Sequence, residues 1–271
     1  MTQPNSMTGQ ANGELWGQRA RDWAKYQEAS IAPVFDAVLD QAGVGEGTRY
    51  LDIGCGAGLA AAKASALGAA VTGIDASFEM IRIARSRLPA SSFHVGDLEA
   101  LPFPDNGFDL ITSFNAIQYA GDVPQALSEA KRVLAPEGIL AIATWGNPDG
   151  MDAAKVVTSL KPLLPPPPRD APGPFALSDD TVLRTFVREG GLEAYAVFDV
   201  DSPWSYPNAE AAIAGLASSG VAAKAISLAG EAAVNRIHEA AIRPYQKPDG
   251  RIEFGATFKV VLAKRAGDAI G

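Results

Sequence analysis

The feature that most constrains this chain is the stretch RYLDIGCGAGLAAAKASALGAAVTGIDAS, from Arg49 to Ser77. It places a glycine-rich turn between a short apolar run and a helix-forming run. An acid stands at each end, Asp52 just before the turn and Asp75 at the close of the next apolar run. Glycines allow the backbone to approach a ligand closely, and open α/β sheets bind ligands beyond the carboxyl end of the first strand. The stretch therefore predicts a ligand site on the turn.

Short β-like runs alternate with helix-forming runs from Tyr50 to Thr144. This alternation is typical of βαβ units, so we predict an α/β fold with a parallel sheet covered by helices on both faces. Residues 1–14 are expected to form a disordered tip, and 15–43 to form an N-terminal helical cap.

The second half of the chain is less regular. A proline-rich connector is predicted over 147–177, because the run Pro165–Pro168 cannot be helix interior. Ser178 is the expected cap of the next helix and Gly190 its end. An alanine-rich helical insert over 208–242 precedes the last strand, and the domain is expected to span 15–265.

Composition excludes some classes of protein and some kinds of binding partner. The chain has 271 residues and a net charge of −8, which gives no basic footprint for nucleic acid. The single cysteine, Cys55, excludes a disulfide framework and a cysteine-built zinc site, so no metal is predicted. We find neither a signal peptide nor an apolar run long enough to cross a bilayer, and we expect a cytoplasmic protein without a membrane partner.

The spacing of the glycines indicates which of two kinds of ligand the turn binds. Asp75 follows the turn at about the distance at which nucleotide folds place a ribose-binding carboxylate, so an adenosine-like ligand is expected. The turn reads G-x-G-x-G at Gly54, Gly56 and Gly58, whereas a dinucleotide fingerprint reads G-x-G-x-x-G. A nicotinamide-dependent oxidoreductase is therefore disfavoured.

The motif LDIGCGAG closely resembles motif I of the class I S-adenosylmethionine-dependent methyltransferases. With LPFPDNGFD and SFNAIQY, the resemblance covers roughly Tyr50–Trp145 and is greatest to the branch acting on quinones, sterols and secondary metabolites. It implies a Rossmann-like, seven-stranded, mostly parallel sheet with helices on both faces, N-terminal helices and a helical insert before the last strand. It also implies S-adenosyl-L-methionine as cofactor and S-adenosyl-L-homocysteine as product.

The resemblance carries cofactor-binding roles to the turn, to the ends of the next strands and to the N-terminal helix. In such enzymes the glycines hold the methionine part, with Asp52 supporting the turn. Asp75 takes the ribose hydroxyls, and Asp97 accepts from the adenine amino group. The residues so implied are Tyr26, Asp52, Gly54, Gly56, Gly58, Asp75, Ala76, Met80, Asp97, Leu98 and Asn115. Core packing is an alternative role for Met80, and docking onto the sheet is one for the aromatic residues of the N-terminal helix.

The acceptor is expected to be a small molecule. Methyl transfer is an in-line displacement that needs a base only where the nucleophile must lose a proton. The chain has two histidines: His94 lies in a predicted strand and His238 in the insert, where a surface position is one reading. We therefore predict proximity catalysis with Gln118 and Tyr119 as positioning groups.

Two alternatives stay open at this point. The protein could be an S-adenosylmethionine-binding module without turnover, acting as a sensor or assembly partner. The insert could form a wall of the acceptor pocket or a homodimer surface.

Overall fold

The computed structural model of the chain describes residues 8–166 and 173–267. Their strands are β1 Arg49–Ile53, β2 Ala70–Asp75, β3 Ser92–Val95, β4 Phe108–Phe114, β5 Leu134–Trp145, β6 Leu192–Asp201, β7 Trp204–Tyr206, β8 Ile252–Phe254 and β9 Thr257–Arg265. Seven of them form one sheet in the order β3-β2-β1-β4-β5-β9-β6, and β7 pairs with β8 in a second, small sheet. Strands β1 to β5 are mutually parallel, while β9 runs antiparallel to β5 and β6. The predicted seven-stranded, mostly parallel α/β sheet is confirmed.

The helices are α1 Gly9–Gly17, α2 Ala20–Asp22, α3 Ala32–Gln41, α4 Leu59–Ala66, α5 Phe78–Arg87, α6 Val123–Val133, α7 Asp152–Thr158, α8 Asp180–Glu189, α9 Ala209–Ala217, α10 Gly220–Ala229 and α11 Glu231–Ile242. A π-helical turn, Trp23–Gln27, and a 3₁₀ turn, Glu28–Ile31, join α2 to α3. Helices α9 to α11 occupy the insert predicted over 208–242.

The core lies on both faces of the sheet. Successive strand residues point to opposite faces, so Tyr50 and Leu51 belong to different apolar clusters. One cluster buries the inner sides of α3, α4 and α5, and the other buries those of α6 and α8. Because β1, β2, β4 and β5 run parallel, their carboxyl ends meet at one edge of the sheet.

The N-terminal segment differs from the prediction. A helix begins at Gly9, so the expected tip is wrong for the described residues 8–14; residues 1–7 lie outside the described part of the chain. Gly9, Gly13 and Gly17 recur every four residues and form one face of α1. A Cβ on Gly13 would lie 2.2 Å from the Ala76 carbonyl oxygen, and one on Gly9 would lie 2.3 Å from Asp97 Oδ2. The absence of side chains lets the backbone of α1 lie directly on the loops after β2 and β3.

The C-terminal strands are also interrupted. Two short interruptions divide them into the pairs β6 with β7 and β8 with β9. Pro203 lies in the first break, where it has no N–H to donate to a ladder, and Gly255 lies in the second. The outer pieces leave the main sheet and pair with each other, Trp204 opposite Phe254.

Two predictions about the connector need correction. Helix α7 and a 3₁₀ turn, Lys161–Leu163, lie within the predicted extended segment, and Pro167 and Pro168 lie outside the described residues. Asp179, not Ser178, caps α8 by accepting from the backbone N–H groups of Thr181 and Val182. Gly190 ends that helix as predicted.

No single helix within 8–166 and 173–267 has the length and hydropathy to cross a bilayer. Helices α9 and α10 meet that test only as a pair, bent by 90° between them.

Substituting Gly13 by alanine tests the docking of α1. Alanine favours an isolated helix by about 1 kcal/mol over glycine, whereas the overlap with the Ala76 carbonyl is expected to cost about 1–3 kcal/mol. We expect Gly13→Ala to lower the free energy of unfolding, measured by urea denaturation. The matched control is Gly17→Ala, whose Cβ would meet the Ser77 hydroxyl at 3.0 Å. Equal or greater stability of Gly13→Ala would contradict the docking.

Candidate cofactor and acceptor site

The glycine turn joins β1 to α4 at the carboxyl edge of the sheet. Gly54, Gly56 and Gly58 have φ of +74°, +54° and +83°, the left-handed region that side chains disfavour. A Cβ on Gly54 would lie 2.3 Å from the Ala116 Cβ, so the loop after β4 reaches the turn closely. The three glycines are thus required by conformation, and Gly54 also by proximity.

Asp52 lies at the end of β1 and is only 1% exposed. The Thr112 hydroxyl donates to its Oδ1 at 2.8 Å, and the same hydroxyl lies 2.6 Å from the Tyr50 hydroxyl. Asp52 Oδ2 is buried without a hydrogen-bond partner among the described residues. Burial raises the pKa of Asp52 to about 7; the hydrogen bond from Thr112 opposes this shift, and Asp75 and Glu28 add to it. A buried carboxylate oxygen without a partner is costly and suits a ligand that donates to it.

Asp75 ends β2 and fastens the turn to it. Its Oδ2 accepts from the Gly56 N–H at 2.9 Å, and its Oδ1 accepts from the Ser77 N–H at 2.8 Å. Burial raises the pKa of Asp75, and these two hydrogen bonds oppose the shift. Each carboxylate oxygen can accept more than one bond, so both oxygens can still accept from ligand hydroxyls.

The residues expected at the adenine end lie beneath α1. Asp97 Oδ2 accepts from the Gly9 N–H at 3.0 Å, and its Oδ1 accepts from the Glu99 N–H at 2.9 Å. The carbonyl of Ala76 faces Gly13, while Leu98 is partly buried against the apolar cluster beneath α6. The structure thus brings Asp75, Ala76 and Asp97 to one edge, with α1 covering them.

The loop after β4 holds the residues expected near the reacting methyl group. Asn115 has a left-handed φ of +53°, and its Oδ1 accepts from Gln118 Nε2 at 2.7 Å. Gln118 also approaches Thr144 of β5 at 3.4 Å, and its Oε1 is buried without a partner among the described residues. Tyr119 is 41% exposed. Burial of its hydroxyl raises its pKa, and the nearby polar groups of Trp145, Asn115 and Gln118 oppose the shift.

The N-terminal aromatic residues divide between two surroundings. Trp23 packs edge-on to Trp16 with ring centroids 5.0 Å apart, and a Cβ on Gly56 would lie 3.5 Å from its Nε1. Tyr26 lies instead beside Gly215 of α9. Met80 is 2% exposed and packs with Ala20 and Ala57, the core position named as its alternative role. Of these N-terminal aromatic residues, Trp23 therefore lies beside the turn, and a cofactor role for Tyr26 stays a prediction.

Sequence reasoning missed three groups at this edge. Glu28 accepts a hydrogen bond from the first amide of α4, and Glu99 accepts from the backbone amides of Gly121 and Asp122. The Thr112 hydroxyl donates to Asp52. The four-residue spacing of glycines in α1 was a detectable signal of close helix packing. No local pattern marks Glu28 or Glu99, because their partners lie far away in sequence.

His238, Trp145 and Trp204 are buried in the core. His238 is 2% exposed rather than at the surface, and burial lowers its pKa to about 4. Trp145 stacks on Phe258 with centroids 4.9 Å apart, and Trp204 packs against Trp145 at 5.7 Å. His94, in β3, lies 2.9 Å from the Ser92 hydroxyl and packs edge-on to Phe103. Among residues 8–166 and 173–267, no group of three or more acidic, histidine or cysteine side chains could hold a metal ion.

Comparison with known proteins identifies the kind of domain to which this edge of the sheet belongs. A family described as a methyltransferase domain matches residues 51–142, which include the glycine turn and the ends of β2, β3 and β4. This segment is a class I methyltransferase domain. S-adenosylmethionine is the cofactor of the class. Asp52 Oδ2, which has no hydrogen-bond partner in the described part of the chain, suits the ammonium group of this cofactor, and the three left-handed glycines suit its methionine backbone.

Curated relatives share the methyltransferase domain. Malonyl-[acyl-carrier protein] O-methyltransferase of Erwinia pyrifoliae is 35% identical over 141 residues, 52% of this chain and 53% of that protein. Demethylmenaquinone methyltransferase of Renibacterium salmoninarum is 34% identical over 111 residues, 41% and 47% of the two chains. This chain therefore spans about half the length of the curated relatives it matches.

Solved structures share the fold of the methyltransferase domain and its flanks. A putative methyltransferase from Bacillus halodurans has a TM-score of 0.56 at 15% identity, covering 85% of this chain and 98% of its own. The [4+2]-cyclase SpnF has a TM-score of 0.55 at 22% identity, covering 86% and 80%. Because one of these proteins is named as a cyclase, the fold alone does not decide the reaction.

The pH dependence of stability tests the burial of Asp52. Its pKa, about 7 when folded against an ordinary value of 3.8, means that its contribution to the free energy of unfolding falls as the pH rises from about 4 to 7. His238 acts oppositely: its pKa falls from 6.5 to about 4, so its contribution rises with pH between those values.

Asp52→Asn removes the first contribution alone. We expect its stability relative to wild type to increase by about 2–4 kcal/mol between pH 4 and 8, measured by urea denaturation at each pH. Asp40→Asn, on the exposed side of α3, is the control for loss of one carboxylate. A stability difference that stays constant with pH in Asp52→Asn would contradict the burial.

Proposed function

We propose that the protein transfers a methyl group from S-adenosylmethionine to a small organic molecule. The observation that carries the proposal is the edge at which Asp52 meets the left-handed turn and Asp75, with one buried Asp52 oxygen that lacks a partner within residues 8–166 and 173–267. The two curated relatives described above are named as methyltransferases, one of them acting on demethylmenaquinone. The net charge of −8 disfavours a nucleic-acid acceptor.

In this proposal the cofactor lies along the carboxyl edge. Asp52 Oδ2 accepts from the ammonium group, the turn from Gly54 to Gly58 lies against the methionine part, and Asp75 accepts from the ribose hydroxyls. Asp97 accepts from the adenine amino group with a lone pair that the Gly9 amide leaves free. The cofactor supplies an electrophilic methyl group on a sulfonium centre.

The chain's own part in this proposal is to position the acceptor. Among the residues that the structure describes, Gln118 Oε1 is a buried, neutral acceptor without a partner, so it suits an O–H or N–H of the acceptor molecule. An amide oxygen is too weak a base to remove a proton at neutral pH, so orientation supplies most of the acceleration. Tyr119, whose ring is accessible beside Gln118, is the second positioning group.

The insert is proposed as the wall of the acceptor pocket. It packs on the N-terminal segment that covers the turn: a Cβ on Gly220 of α10 would lie 2.8 Å from Trp16 Nε1. Arg19 forms an ion pair of 2.7 Å with Glu231 of α11. A homodimer surface on the same insert stays a prediction; Val221 and Leu228 of α10 are its exposed apolar residues.

Transfer of a labelled methyl group is the deciding experiment. The pure protein is incubated with S-adenosylmethionine carrying an isotopic methyl label and with an extract of its source, and small-molecule and macromolecular fractions are analysed by mass spectrometry. We expect label in a small metabolite. Label in protein or RNA would contradict the acceptor class. Calorimetric binding of the cofactor without any transfer would indicate a binding module.

Substituting Asp75 by asparagine tests the cofactor site. Loss of the charged acceptor is expected to raise the Kd for S-adenosylmethionine about 10–100-fold, measured by calorimetry. Asp109→Asn is the control, because Asp109 lies on β4 near the opposite edge, paired with Arg49. An unchanged Kd in folded Asp75→Asn would contradict the assignment.

Substituting Gln118 by alanine tests the positioning role once an acceptor is identified. We expect kcat/KM for the acceptor to fall about 10–100-fold while the Kd for the cofactor stays at the wild-type value. A change confined to cofactor binding would assign Gln118 to the cofactor instead.

A further inference from the structure

Glu28 is a buried acid on the N-terminal side of the methyltransferase domain. It begins the 3₁₀ turn that follows the π-helical turn, and it is 4% exposed. It lies outside residues 51–142, the segment that the family comparison matches. Burying a carboxylate is costly unless it is paired and hydrogen-bonded, so the contacts of Glu28 show what its burial achieves.

Both oxygens of Glu28 hold the segment that follows the glycine turn. Oε1 accepts from the Leu59 N–H, the first amide of α4, at 3.1 Å. Oε2 pairs with Arg87 Nη1 at 2.7 Å, and the same nitrogen donates to the Ala57 carbonyl at 2.7 Å. The backbone from Ala57 to Leu59 is therefore held at both ends by one ion pair, with left-handed Gly58 between them.

The Glu28 carboxylate also reaches the centre of the site. A Cβ on Gly56 would lie 3.9 Å from its Oε1, and its negative charge helps to raise the pKa of Asp52. Burial raises the pKa of Glu28 itself, and Arg87 opposes the shift. Glu28 thus holds the turn through contacts with the backbone, and its negative charge acts on Asp52.

We propose that Glu28 is a positioning residue for the cofactor, holding the backbone from Ala57 to Leu59, and with it the glycine turn, in the conformation that binds S-adenosylmethionine. The role rests on the proposed function, since the turn is the proposed site of the methionine part. It makes the matched domain dependent on a residue from the N-terminal segment. Leu59 accordingly gives its N–H to Glu28, although helix N-termini commonly offer such groups to ligands.

Two variants separate the two bonds of Glu28. Glu28→Gln keeps an oxygen for the Leu59 N–H and loses the charge that pairs with Arg87. Glu28→Ala loses both. The control is Asp36→Asn, which breaks another link between the N-terminal segment and α4, the exposed pair of Asp36 with Lys63 at 2.8 Å.

The first readout is binding of S-adenosylhomocysteine, measured by calorimetry on the full chain. We expect the Kd to rise about tenfold or more in Glu28→Ala and by a smaller factor in Glu28→Gln, since hydrogen bonds to charged groups weaken binding by such factors when lost. Asp36→Asn is expected to keep the wild-type Kd.

The second readout needs no cofactor and separates failure of this proposal from failure of the proposed function. Amide hydrogen exchange at 57–62 is expected to be faster in both Glu28 variants and unchanged in Asp36→Asn. If the wild-type protein does not bind S-adenosylhomocysteine but amide exchange is still faster in the Glu28 variants, Glu28 does position the turn and the proposed function is wrong. Glu28 variants that lower the melting temperature but keep the wild-type Kd and exchange would overturn the proposal.

Discussion

The structure depends on one constraint, the left-handed backbone of the turn between β1 and α4. Only glycine takes that conformation without strain, and the turn that results brings two backbone N–H groups, Gly54 and Cys55, onto the Ile74 carbonyl and a third, Gly56, onto Asp75. These bonds join the ends of β1 and β2. The missing side chain at Gly54 lets the loop after β4 approach as well. The edge where three strands end becomes one site because of this turn.

The buried acids at that edge lower the stability of the folded protein. The negative charges of Asp75 and Glu28 help to raise the pKa of Asp52, and the one cation paired with these three acids in the described part of the chain is Arg87, bound to Glu28. Burial without full pairing raises the pKa values of all three acids. Such an arrangement destabilises a folded protein unless something positive binds there. S-adenosylmethionine carries a sulfonium and an ammonium group, so its binding is expected to offset the cost of burying these acids.

The order of strands and helices from Tyr50 to Trp145 was predictable, because each element has its own hydrophobic period and the crossover rules leave few topologies. The same local signals located Asp52, Asp75 and the glycines. The N-terminal segment was not predictable in the same way. Helix α1 is stabilised by contacts with Ala76 and Asp97, many residues later in the chain, and a glycine-rich sequence does not favour a helix by itself. The ends of β7 and β8 likewise depend on pairing across the insert.

What the sequence determined by itself is therefore local: the alternation of elements, the left-handed turn and the acids at the strand ends, since each follows from residue type and spacing. Only the tertiary structure decided which distant groups meet there. It placed α1 on the loops after β2 and β3, Glu28 on the first amide of α4 and Gln118 beside Asn115, and it left Asp52 Oδ2 without a partner among the described residues. Those outcomes depend on long-range packing and on the balance between burial and pairing of charge, which no short stretch of sequence contains.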